Sequence, residues 1–142
     1  MSYESIFKPD LFQNKLVVVT GGGSGIGRCT AHELAALGAT VVITGRQAEK
    51  LENVATEIES DGGAVDFLAF DIRDGVAVAE QVDEILKRHG KIDGLVNNAG
   101  GQFPARLEDI SQNGWNAVVA TNLTGGFLVS REVYRQWMKG NG

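Results

Sequence analysis

Five of the eight residues in Thr20-Gly-Gly-Gly-Ser-Gly-Ile-Gly27 are glycine. A backbone without side chains brings its N–H groups within hydrogen-bonding reach of a bulky anion. Where such a run opens a helix, the N–H groups and the helix dipole act together, and a pyrophosphate is the natural guest. Gly21, Gly23, Ser24, Gly25, Ile26 and Gly27 are therefore candidate binding residues. Gly21, Gly25 and Gly27 form G-x-x-x-G-x-G, with a longer first interval than the general G-x-G-x-x-G fingerprint. A flexible turn would explain glycines alone, but an apolar run before them and an amphipathic stretch after them favour the anion cradle.

Arg46 closes a second apolar run. If that run is a strand ending beside an adenosine ribose, an acidic residue there would bind both hydroxyls, whereas arginine offers a charge-assisted contact to a 2′-phosphate. NADP(H) is thus the expected cofactor, with NAD(H) the alternative if Arg46 is only a solvated loop cation. Asp71 and Ile72 follow a third run and set a carboxylate beside the expected adenine, able to accept from its exocyclic amine; ordinary turn and cap bonds are an equal alternative. In Asn97-Asn-Ala-Gly100, the small residues around Asn98, Ala99 and Gly100 let the backbone approach a ribose while two amides fix the loop. Asn122 lies in Thr121-Asn-Leu-Thr-Gly-Gly126, a poor helix former whose glycines each cost about 1 kcal/mol relative to alanine. On a buried stripe its amide must find partners, by breaking the helical ladder or holding a water, and a structural kink is the plainer reading. Gln102, Phe103 and Arg106 are placed either to touch a substrate or to pack a loop. His32 and His89 have no Ser, Cys or metal-ligand partner at useful spacing and read as solvated helix residues. Asp71 and Asp74 are too few ligands for a metal, and none is expected.

These residues need elements to hold them. Lys15–Thr20 is a β-branched apolar run, as in a strand buried on both faces. Helical spacing follows through Ile26, Thr30, Leu34 and Leu37, with Gly38 as the stop. The alternation repeats with a strand over Ala39–Thr44, a helix carrying Leu51, Val54, Ala55 and Ile58, a strand over Ala64–Phe70, and a helix carrying Val78, Val82, Ile85 and Leu86 and closing at Gly90. Ile92–Val96 is the fourth strand. A long helix over Gln112–Lys139, capped by Gly140, puts Trp115, Val118, Val119, Asn122, Gly126, Val129, Val133 and Trp137 on one face. Strands alternating with helices through short loops predict a doubly wound α/β fold of Rossmann type, with ligands bound at the carboxyl ends of its parallel strands.

One domain, 15–142, preceded by a lead segment over 1–14, fits the length and the 43% apolar content. The 13 basic and 18 acidic residues, net −5, form no block that suits nucleic acid or a membrane surface. A lone Cys29 and the lack of a signal-like apolar run lead to the expectation of a soluble, cytoplasmic protein with a small-molecule substrate.

The chain resembles the short-chain dehydrogenase/reductase family from about Gln13 onward. The cofactor loop at Gly21, Gly25 and Gly27, the adenine aspartate Asp71, the Asn97-Asn-Ala-Gly100 element and the helix asparagine Asn122 occur in the family's order. Gly100-Gly-Gln-Phe103, Gly114-Trp115 and Thr121-Asn-Leu-Thr-Gly125 are similar to trans-2-enoyl-CoA reductases of that family. The resemblance implies hydride transfer between NADP(H) and a carbonyl, alcohol or enoyl-CoA substrate, with an acyl-CoA partner and a homo-oligomeric complete enzyme. It also implies that Asn122 is catalytic, holding a water in a proton relay. The family's serine and Tyr-x-x-x-Lys pair would lie on later elements. Tyr134 does not replace the pair, because Met138 stands where its lysine would be. The expectation is a cofactor-binding half, truncated and inactive alone, with strand four and the long helix incompletely covered. A non-catalytic dinucleotide-binding module and an inactive fragment are the alternatives.

Overall fold

The computed structural model describes residues 3–141; Met1 and Ser2 of the expected lead, and Gly142 at the end of the expected domain, lie outside the described residues. Strands β1 (Leu16–Thr20), β2 (Thr40–Gly45), β3 (Ala64–Ala69) and β4 (Gly94–Val96) form one parallel sheet in the order β3-β2-β1-β4. The register sets Val18 against Val42 on one side and Leu95 on the other. All five residues of β1 are buried, which accounts for its unbroken apolar run. Helices α1 (Gly25–Ala36) and α2 (Ala48–Ser60) cover one face, where Val17, Val19, Val41 and Ile43 meet Ala31, Ala35, Val54 and Ile58. On the other face Leu16, Val18, Val42 and Leu68 meet Val78, Val82 and Ile85 of α3 (Gly75–His89), and Val129 and Val133 of a later helix. Each such valine, leucine or isoleucine contributes roughly 1.5–3 kcal/mol on full burial. The doubly wound architecture is therefore as expected.

Helix ends follow the expected chemistry. Asp74 caps α3 by accepting from the N–H groups of Val76 and Ala77, and Gly90 closes it at φ 76°. Gly38, at φ 92°, turns the chain after α1.

The long helix departs from expectation. It runs as α4 (Gln112–Val118), a π-helical segment over Val119–Gly125, α5 (Gly126–Val133), a second π segment over Tyr134–Met138 and a final turn, α6 (Lys139–Asn141). Widening the ladder to i→i+5 rotates the following residues relative to a 3.6-residue repeat. The buried residues are consequently Gly114, Gly125, Val129, Glu132 and Val133, while Trp115 is 62% exposed and Asn122 is also exposed. Gly140 lies within the final turn rather than beyond it. β4 is shorter than expected; Ile92 is buried but precedes the strand.

Both histidines are also corrected. His32 is 8% exposed, with Nε2 3.1 Å from Glu57 Oε2 on α2 and its ring beside Tyr3. His89 is half-buried, with Nε2 2.9 Å from Asp66 Oδ2 on β3. The lead segment is tied to the same region. The hydroxyls of Tyr3 and Ser5 both donate to Glu33, the Tyr3 N–H donates to Asp61, and the Phe12 N–H donates to the Leu37 carbonyl. The bond to Glu33, then burial, pushes the Tyr3 phenol up to about 12. Among the described residues no helix is long and apolar enough to cross a membrane.

Candidate dinucleotide site

At the carboxyl ends of the strands lies a cleft of about 640 Å³. Its walls are Gly21, Gly23, Ser24, Gly25 and Ile26 after β1; Gly45, Arg46, Gln47, Lys50 and Leu51 after β2; Phe70, Asp71, Ile72 and Arg73 after β3; Asn98, Ala99, Gly100 and Gln102 after β4; and Thr121. Of the expected cofactor residues, only Gly27 is absent from the wall. A side chain there would collide with the Gly21 carbonyl and the Asn98 amide, so Gly27 serves the close packing of α1 on the sheet. Gly25, at φ 54°, has nothing beyond its chain neighbours and its own helix backbone within 4 Å of the position its Cβ would take, leaving that side open.

Thr20 joins the two halves of the rim. Its buried Oγ1 accepts from the N–H groups of Asn98 (3.1 Å) and Ala99 (3.0 Å) and donates to the Val96 carbonyl (3.3 Å). Asn98 Nδ2 returns bonds to the carbonyls of Thr20 (3.0 Å) and Gly21 (3.3 Å), and the Gly21 and Gly22 N–H groups reach the Thr44 carbonyl on β2. Three strand ends thereby share one hydrogen-bond network, and Asn97 ties the same loop to Ser130 on α5 at 2.8 Å.

Asp71 is held by Arg73. Arg73 Nε lies 3.0 Å from both carboxylate oxygens, Nη2 lies 2.5 Å from Oδ2, and the Arg73 backbone N–H is 3.0 Å from Oδ1. The guanidinium bond, opposed by burial and aided by the backbone bond and the charges of Arg73 and Arg46, brings the Asp71 carboxyl down from 3.8 to about 2. Ile72 keeps its side chain in the core, against the place where Gly125 has none. Arg46 lines the cleft and makes no ion pair among the described residues.

Asn122 does not line the cleft. Its Oδ1 accepts from the Gly101 N–H (2.8 Å) and its Nδ2 donates to the Gly101 carbonyl (3.0 Å), clamping the loop after β4. One N–H and one lone pair of the amide stay free. The clamp fixes the backbone next to Gln102, which does line the cleft. Phe103 instead packs over Gly114 of α4. Sequence reasoning missed Lys50, Gln47, Arg73 and Thr121 in the wall, and the linking role of Thr20. A threonine closing a buried strand just before the glycines was the one available signal.

The open side of Gly25, a Ser24 hydroxyl that makes no cap bond, and unpaired cations beside the glycine loop fit a phosphate-rich dinucleotide. Fold and cleft together define a protein of the doubly wound α/β class with a candidate dinucleotide cleft at its strand ends. A family model described as short chain dehydrogenase matches residues 15–142, and the chain belongs to that family. It is 38% identical, over 126 residues, to a probable 2,4-dienoyl-CoA reductase of Bacillus subtilis, covering 89% of this chain and 50% of that one. A solved citronellol catabolism dehydrogenase (AtuB) from Pseudomonas aeruginosa superposes with TM-score 0.94 at 58% identity, over 99% of this chain and 57% of that one. A metagenomic short-chain oxidoreductase in complex with NADP gives TM-score 0.81 at 38% identity, over 87% and 57%. The chain spans about half the length of the curated relatives it matches.

Proposed function

We propose that this chain is the cofactor-binding half of an oxidoreductase that uses NADP(H) in preference to NAD(H) on a carbonyl, alcohol or enoyl-CoA substrate. The observation that carries the cofactor choice is Arg46, unpaired at the end of β2 on the cleft wall. The bound cofactor supplies the hydride chemistry. The N–H groups of the Ser24–Gly27 turn hold its pyrophosphate at the start of α1. Arg46 takes the 2′-phosphate, Asp71 and the Ile72 backbone face the adenine, and Asn98, Ala99 and Gly100 bring bare backbone to the second ribose. Asn122 fixes Gly101 and, with its remaining N–H and lone pair, holds a water that relays a proton. Neither tyrosine of the sequence has a lysine four residues on, so these residues offer no Tyr-x-x-x-Lys pair for proton donation. The names of the acyl-CoA reductase relatives support an acyl-CoA substrate. The complete enzyme in this reading is cytoplasmic and a homo-oligomer, the second supported by the exposed Leu123, Phe127 and Tyr134 along the long helix.

Titration of the protein with NADPH and NADH tests the cofactor choice. NADPH should bind more tightly, and Arg46→Ala should cost NADPH about tenfold in affinity while sparing NADH. Tighter binding of NADH would overturn the cofactor choice, and binding of neither would overturn the site.

A further inference from the structure

Three cationic side chains line the cleft, Arg46, Lys50 and Arg73, and they differ in what they already hold. Arg73 is committed to Asp71. Lys50 makes no ion pair or hydrogen bond among the described residues, although it stands in the first turn of α2, where a positive charge opposes the helix dipole. The N-cap of that helix, Gln47, makes no side-chain bond to the exposed N–H groups, and Glu49, the acid of the same turn, does not line the cleft. Lys50 is nevertheless firmly seated. Its neighbour Leu51 is 1% exposed and wedged between Gly23 and Gly45, 3.4 Å from the position of either missing Cβ. The Cβ of Lys50 itself lies 3.3 Å from where a Gly23 Cβ would stand, so its stem leaves the helix beside the glycine loop. An uncapped turn bearing an unpaired cation, fixed between the pyrophosphate loop and Arg46, favours a second anionic group there.

We propose that Lys50 is a second specificity-determining cation, holding the ribose 2′-phosphate from the α2 side while Arg46 holds it from the end of β2. This rests on the NADP(H) reading above. The test measures binding of NADPH, NADH, 2′,5′-ADP and 5′-ADP to the wild type, Lys50→Gln, Lys50→Arg and Arg46→Ala, with thermal melting of each variant as the folding control. Lys50→Gln should weaken NADPH and 2′,5′-ADP by about tenfold. NADH and 5′-ADP should change by less than about twofold, because a lysine aimed at the 2′ position leaves their contacts intact. Lys50→Arg should restore most of the loss. Equal weakening of NADPH and NADH would overturn the proposal in favour of a pyrophosphate contact, and no weakening would make Lys50 a solvated cation. A wild type with no preference for NADPH would instead bring down the cofactor reading itself, whereas a preference that survives intact in Lys50→Gln would sink the Lys50 assignment alone.

Discussion

Asp71 and Arg73 are two residues apart at the end of β3, and their pairing makes the cleft sensitive to acid. The Arg73 guanidinium holds the Asp71 carboxyl at about 2 against an ordinary 3.8. A depressed carboxyl favours the folded state above its unfolded pKa, and that contribution fades as the pH falls from 3.8 toward 2. Asp71→Asn should therefore flatten the acid limb of stability in that window, as read by denaturant midpoints at successive pH values; an unchanged limb would mean that the pair contributes nothing. At this scale the sequence was legible where chemistry is local. Gly21, Gly23, Gly25, Asp71 and the Asn98–Gly100 turn could be placed at strand ends from a few residues each, and the structure sets them on the cleft wall. His32 was misread because its partner, Glu57, lies 25 residues away on another helix, and a spacing search along one helix does not see across two. Glu132 is buried although its own partners are local, because its stretch of helix packs against α3. Burial alone would raise its carboxyl, yet bonds from Gln136 and Arg131 and the charge of Arg135 bring it below the ordinary value, and Gln136 also reaches Ala79 of α3.

Between α4 and α5 the two adjacent glycines have unlike causes. A Cβ on Gly125 would stand 2.7 Å from Ile72 Cδ1 and Cγ1, whereas a Cβ on Gly126 would meet nothing within 4 Å. Both have ordinary helical dihedrals. Gly125→Ala should destabilise the protein by about 1–3 kcal/mol through overpacking against Ile72. Gly126→Ala should stabilise it by roughly 0.5–1 kcal/mol through reduced freedom of the unfolded chain. Thermal or urea unfolding of the two variants checks both, and equal effects would remove Ile72 as the cause. The same segment shows why helix type was less legible than helix existence. Apolar spacing announces a helix, but a π segment shifts its phase, so a stripe drawn at 3.6 residues per turn buries Asn122 and Trp115 on paper while the structure exposes them.

Across the whole molecule, alternation of strand and helix was enough to read the architecture, because crossover handedness leaves few ways to arrange parallel strands. The surface left over was less legible, since it depends on how long each strand runs and which way each helix is turned. Among the described residues β4 pairs only with β1, and Leu123, Phe127 and Tyr134 are all more than half exposed along the long helix. Open strand edges and contiguous apolar patches promote association. The 142-residue chain by itself should sediment as concentration-dependent species larger than 15.1 kDa, with Phe127→Glu shifting it toward the monomer. A single monomeric species at every concentration would count against that face. The rim network has a further consequence, for biosynthesis. β2 and β3 can join β1 through successive crossovers, but the Thr20 network needs Asn98 and the Gly101 clamp needs Asn122. On a translating ribosome, the amino-terminal strands could therefore assemble early while the far wall of the cleft was still being made. Nucleotide could then assist the nascent chain only after the Asn98 loop and Asn122 had emerged, as a seal on strands already paired rather than a template for the first of them.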